Sequence, residues 1–95
     1  MRQITCDAVD AFVNGRNFKR NNTEVRGKGY YLHGHKIAWY DCSGRLWISN
    51  CGYKTVITKE RLNGLPNVYI TQKNWQWYLN GQKWDGEPIC VDNFK

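Results

Sequence analysis

Residues 30–63, YYLHGHKIAWYDCSGRLWISNCGYKTVITKERLN, are the stretch whose reading decides the fold. Tyr30-Tyr31-Leu32 starts a strand, and His33-Gly34-His35 makes a tight connection to a second strand over Lys36–Tyr40. Asp41-Cys42-Ser43-Gly44 turns the chain again into Arg45–Asn50. Alternation puts Ile37 and Trp39 on one face, to be met by Leu46 and Ile48, and leaves Ala38, Tyr40 and Trp47 on the other. That second face is therefore either covered or presents an aromatic patch. Cys51-Gly52 breaks the strand, and Thr55 or Thr58 can cap a helix that contains Glu60, Arg61 and Leu62. Asn63-Gly64-Leu65-Pro66 ends it, with Gly64 as the left-handed cap residue and a proline that cannot continue the helix.

Downstream, Val68–Lys73 and Trp75–Leu79 are joined so closely that they read as a hairpin. Asn80-Gly81 is the strongest hairpin-turn dipeptide in the chain and leads to Lys83-Trp84. Asp85-Gly86 turns before a last strand, Ile89-Cys90-Val91, which Pro88 assigns to a sheet edge. Upstream, Thr5 is the expected N-cap of a short helix with Asp7 in its first turn. Ala8, Val9, Phe12 and Val13 form its apolar stripe, and Asn14-Gly15 stops it. Residues 16–29 are polar and turn-rich, with Thr23–Arg26 expected as a short edge strand. The sum over residues 1–95 is a single α+β domain: a small antiparallel sheet of six to eight short strands, the later hairpins completing it, with two short helices.

The longest unbroken apolar run is Ile37–Tyr40, far below the roughly 20 residues of a membrane span. Asp7 and Asp10 fall where an export signal needs an apolar core, so the cytoplasm is the expected compartment and no membrane partner is expected. In that compartment Cys6, Cys42, Cys51 and Cys90 are expected as buried free thiols. The formal charge is +6, and residues 15–36 concentrate it: Arg16, Lys19, Arg20, Arg26, Lys28 and Lys36 face only Glu24. Such a segment is either an electrostatic footprint for nucleic acid or an acidic partner, or a solvated loop.

Chemistry is poorly supplied. His33 and His35 with Cys42 and Cys51 are a zinc-like inventory, but the two cysteines lack the short spacing of a zinc knuckle. The carboxylates Asp41, Asp85, Glu87 and Asp92 sit singly in turns, and no phosphate-cradling loop or nucleophile elbow accompanies the cysteines. No catalytic residue, metal or cofactor is therefore expected. The stronger reading from the residues is nucleic-acid binding, with Arg16, Lys19, Arg20, Arg26, Lys28 and Lys36 tracking phosphates and Tyr40 or Trp47 offering stacking faces. Against it stands the ordinary use of tryptophan as core in a small domain.

Several blocks together resemble a family of short proteins encoded by many tailed bacteriophages. They are Asn22-Thr23-Glu24-Val25, Leu32-His33-Gly34-His35-Lys36-Ile37-Ala38, Thr58-Lys59-Glu60-Arg61-Leu62-Asn63, Trp77-Tyr78-Leu79-Asn80-Gly81 and Trp84-Asp85-Gly86. His35 stands where the family pattern has Asn, which weakens a paired-histidine site as a family property, and Ile57 stands where it has Thr. The resemblance brings no activity with it. It implies a viral protein in an infected bacterial cytoplasm and, by analogy with other small phage proteins, a non-catalytic modulator that binds a host protein in takeover or anti-defence. A nucleic-acid binder and a minor virion component are the alternatives, and the oligomeric state, homodimer included, stays open. If the blocks mark a partner surface, its candidate members are His33, Asn50, Thr58, Arg61 and Asn63.

Overall fold

The computed structural model describes residues 2–91, so Asp92 lies outside the described residues. Helix α1 (Gln3–Val13) precedes β1 (Phe18–Arg20), β2 (Thr23–Arg26), β3 (Gly29–Leu32), β4 (His35–Tyr40) and β5 (Leu46–Ile48). Helix α2 (Val56–Asn63) follows, then β6 (Ile70–Lys73), β7 (Gln76–Leu79), β8 (Gln82–Lys83) and β9 (Ile89–Cys90). The class is α+β, with two short helices and antiparallel pairing.

The described strands form two sheets, not one: β1-β2-β3-β4-β5-β9 and β6-β7-β8. The later hairpins do not complete the first sheet, and at the start of β6 the backbone of Ile70 is bonded to a side chain instead of a further strand. Asn63 Oδ1 accepts from Ile70 N at 2.6 Å and Asn63 Nδ2 donates to Ile70 O at 3.1 Å. Only β9 returns to the larger sheet, where it occupies the edge beside β5, as Pro88 anticipates. At the other edge, Phe18–Arg20 is a strand that the residue pattern does not announce. It pairs with β2 and makes Thr23–Arg26 an interior strand, contrary to expectation.

Strand β4 departs from simple alternation. Tyr30 pairs with Ala38 while Tyr31 pairs with Lys36, leaving Ile37 as the extra residue of a bulge. Ile37 and Ala38 are consequently both buried. Beyond the bulge every side chain is on the face opposite to the one the period assigned. Tyr40 turns inward and stacks on Phe12 with ring centroids 4.7 Å apart. Trp39 turns outward to stack on its cross-strand partner Trp47 at 6.3 Å.

Helix α1 starts earlier than expected: Arg2 is its N-cap, Asp7 lies beyond the first turn, and Thr5 is inside the helix and fully buried. Its inward stripe is Thr5, Ala8, Ala11 and Phe12, and Val13 is exposed. Helix α2 is capped by Thr55, whose hydroxyl accepts from Thr58 N at 3.1 Å. Gly64 keeps a right-handed backbone (φ −76°), and the left-handed residue comes three positions later at Asn67 (φ 62°). One hydrophobic cluster joins α1, α2 and both sheets through Phe12, Tyr30, Ile48, Leu62, Trp77 and Val91. All four cysteines are free, but only Cys90 is buried. Cys6, Cys42 and Cys51 are exposed, since each lies on a helix exterior or in a turn.

Candidate functional site: a cleft between the β3–β4 turn and helix α2

The β3–β4 connection has both residues left-handed, His33 at φ 52° and Gly34 at φ 79°, the geometry of a type I′ hairpin. This tight turn stands opposite the N-terminus of α2. Between them opens a cleft of about 490 Å³ lined by Leu32, His33, His35, Ile37, Asn50, Tyr53, Thr55, Ile57 and Thr58. Leu32, Ile37 and Ile57 give it an apolar character. Tyr53, 49% exposed, stands at the rim with its ring 4.6 Å from that of His35. Asn50 is buried; its Oδ1 accepts from Gly52 N at 2.8 Å, while its Nδ2 has no hydrogen-bond partner among the described residues.

The cleft wall is tied to the interior by a directed chain of hydrogen bonds. Arg61, 2% exposed, donates from Nε to Thr23 Oγ1 at 3.0 Å. The Thr23 hydroxyl then donates to Asn22 Oδ1 at 3.0 Å. This orients the Asn22 amide so that its Nδ2 donates to His33 Nε2 at 3.3 Å. The rest of the Arg61 guanidinium donates from one nitrogen to Thr5 Oγ1 at 3.0 Å and to Glu60 Oε1 at 2.5 Å. Burial pushes the Glu60 carboxyl up, but the Thr5 hydroxyl, the Arg2 amide and the Arg61 charge outweigh it and hold the carboxyl below its ordinary range.

Of the five residues read as a partner surface, His33, Asn50 and Thr58 meet at this cleft. Arg61 stands behind it, inside, and Asn63 holds the start of β6. The residues that pattern reading missed are Tyr53, Ile57, Asn22 and Thr23. The last two belong to the Asn22-Thr23-Glu24-Val25 block of the family resemblance, but nothing in their local pattern connects them to His33.

The basic candidates are divided between two sides of the larger sheet. Arg16 pairs with Asp10, and Arg20 Nη1 lies 2.9 Å from Asp7 Oδ2, both carboxylates coming from α1. Counting those two carboxylates lowers the local balance of residues 15–36 from +5 to +3. On the outer face Arg26 lies over the Tyr31 ring at 4.8 Å and within 3.8 Å of Glu24. Lys36 Nζ lies 5.8 Å from the Trp39 ring centre. Trp47 is half-buried, and its indole N–H donates to Asp41 Oδ2 at 2.9 Å. The Arg45 amide and that indole together hold the Asp41 carboxyl below its usual range. Tyr40 belongs to the core side, where burial raises its phenol. Lys19 and Lys28 are exposed.

The family model described as Kyanoviridae Gp96 protein matches residues 1–95. The chain belongs to that family. It is thus a phage protein, in agreement with the resemblance drawn from the sequence blocks. Neither the curated proteins nor the solved structures contain a match to it. Among the described residues, no helix is long and apolar enough to cross a membrane.

Proposed function

We propose that this Gp96-family protein is a non-catalytic phage accessory protein that binds and modulates a host protein in the cytoplasm of the infected bacterium. The observation that carries this reading is the apolar cleft of about 490 Å³ with Tyr53 at its rim. A concave site with an apolar floor and a few polar groups at its edge suits insertion of a partner's aliphatic or aromatic side chain. The His33 side of the cleft is held by the Arg61–Thr23–Asn22 chain, and preorganisation of this kind lowers the ordering cost of association. Phosphate tracking is less well supported, because Arg16 and Arg20 are engaged by α1 carboxylates on the side away from Arg26 and Lys36.

The test is affinity capture from nuclease-treated host lysate with the full chain and with Tyr53→Ala. One host protein should be retained by the native chain and lost with the variant. Disappearance of every retained partner on nuclease treatment would sink the protein-directed reading.

A second reading, single-stranded nucleic-acid binding, rests on the outer face alone, where Arg26 covers Tyr31 and Lys36 covers Trp39. It is the weaker one because Trp39 and Trp47 stack on each other and Asp41 puts a carboxylate at the edge of the pair. A salt titration of DNA and RNA binding decides it: steep weakening from low to physiological salt is expected of a binder. No binding at low salt would remove it.

A further inference from the structure

Three hairpins in the chain use two-residue turns with both residues left-handed: His33-Gly34 (φ 52° and 79°), Asn74-Trp75 (51° and 69°) and Asn80-Gly81 (50° and 86°). In two of them the second position is glycine, the residue with no Cβ to collide in that conformation. In the third it is tryptophan, one of the bulkiest side chains, for which a positive φ is a genuine outlier. The residue is also 87% exposed. The other four tryptophans are placed differently: Trp77 and Trp84 are in the core, and Trp39 and Trp47 stack on each other. Trp75 thus combines backbone strain with a large apolar surface left in water, and packing among the described residues offsets neither.

The hairpin that carries it is firmly held. Ile70, Trp77 and Leu79 are buried. Asn63 clasps the backbone of Ile70, Asn80 Oδ1 accepts from Tyr69 N at 2.9 Å, and Lys59 Nζ donates to Gln72 Oε1 at 3.0 Å. The tip therefore projects an indole from a rigid two-stranded support. Its collar is amide and cationic: Gln72, Lys73 and Gln76 flank the tip, Lys59 reaches it from α2, and residues 70–84 contain Lys73 and Lys83 but no carboxylate.

We propose that Trp75 is a preorganised anchor that inserts into an apolar pocket rimmed by carboxylates on a protein partner. A convex tip bearing one aromatic ring fits a pocket, whereas a stacking platform for nucleobases needs successive rings along a groove. The cationic collar selects an acidic rim, and a rigid tip loses little freedom on docking. This inference deepens the protein-binding reading and rests on it, but it involves a different surface from the cleft.

The experiment uses the full chain with a benzophenone amino acid at position 75, irradiated in nuclease-treated host lysate, with Trp75→Gly, Trp75→Phe and Tyr53→Ala as companions. A single protein should crosslink, through a peptide that maps to an apolar pocket with neighbouring Asp or Glu. Trp75→Gly should fold with a higher Tm than the native chain, because glycine relieves the turn and no buried contact is lost. The same variant should retain that partner at least about tenfold less well, the loss expected of an interface anchor. Trp75→Phe should keep most of the binding. Retention by Trp75→Gly equal to native overturns the anchor, and if Tyr53→Ala abolishes it at the same time, the cleft reading stands alone. Crosslinks confined to nucleic acid, to phospholipid or to a second copy of the chain also overturn it. Undiminished retention by both variants overturns anchor and cleft together.

Discussion

Arg61 Nε donates to Thr23 Oγ1 at 3.0 Å, across 38 positions of sequence, and this bond joins α2 to the interior of the larger sheet. A guanidinium has donors and no acceptor, so everything around it must accept. Thr23, Thr5 and Glu60 do so, which makes Arg61 the point where α1, β2 and α2 are held in common. The same bond sets the direction of the chain through Asn22 to His33, so packing in the interior fixes a group at the cleft rim.

Replacing Arg61 should therefore be costly. Arg61→Ala removes the partner of three polar groups and opens a cavity, and a loss of about 3–5 kcal/mol is expected from breaking a buried pair of this kind. Arg61→Met fills the volume but strands Glu60 and should recover only part of the loss. Urea denaturation of the two variants against the native chain measures both.

Glu60 gives the protein an acid limit. Its carboxyl is held below its ordinary value of 4.5, so the folded state binds this proton less readily than the unfolded chain does. The stabilisation is fully present above that value and is lost as pH falls through the lower folded-state value. Glu60→Gln should cost about 2 kcal/mol at pH 7, since the guanidinium of Arg61 then donates to a neutral amide oxygen and its buried charge loses the opposing carboxylate. Below pH 4.5 the variant should lose less stability per pH unit than the native chain. Part of the slope will remain, because Asp7 and Asp41 are also lowered, by Gln3 and Arg20 in one case and by the Arg45 amide and Trp47 in the other. Thermal melts from pH 7 to pH 3 check the sign.

The legible parts of this fold are those with strong local chemistry. Asn80-Gly81 and His33-Gly34 mark their hairpins outright, and Pro88 announces an edge strand. The illegible parts depend on partners far away in sequence. Strand β1 is three residues, two of them exposed cations, and only its neighbour β2 makes it a strand. The bulge at Ile37 leaves the composition of β4 unchanged yet moves Trp39 and Tyr40 to opposite faces from those the period assigned. Thr5 has the look of an N-cap because hydroxyls commonly cap helices, but here its hydroxyl serves Arg61 and Glu60 across the core. The cleft is assembled from β3, β4, the loop after β5 and α2, so its residues could be named singly without their meeting being visible.

Thr55 should be worth about 1 kcal/mol as the N-cap of α2, on the scale of such substitutions to alanine. Thr55→Ala leaves the Thr58 amide without its acceptor, whereas Thr55→Ser and Thr55→Asp keep one and should remain near native stability. Because Thr55 also lines the cleft, Thr55→Ser should preserve retention of a host partner. Chemical denaturation gives the stability order, and Thr58→Ala serves as the contrast, since it removes a buried side chain but leaves the amide bond to Thr55 intact.

Two glycines with the same backbone habit should respond very differently to alanine. Gly52 and Gly86 are both left-handed, at φ 84° and 92°, so each substitution carries a steric cost of about 1–2 kcal/mol. At Gly52 a methyl group meets nothing within 4 Å, and the cost stops there. At Gly86 a Cβ would lie 2.0 Å from Asn50 Nδ2 and 2.2 Å from Asn50 Cγ. Asn50 cannot retreat without breaking its bond to Gly52 N, and Gly86 O is itself held by Asn50 N and the Ser49 hydroxyl, each at 3.0 Å. Gly86→Ala should thus lose at least about 1–3 kcal/mol more than Gly52→Ala, the usual cost of forcing atoms into a packed site. The double variant Gly86→Ala with Asn50→Gly removes the collision, and recovery of part of that difference would locate the cost in this contact. Equal losses for the two single alanine variants, measured by urea denaturation, would show that Asn50 is free to move and that the cleft wall it forms is not fixed by Gly86.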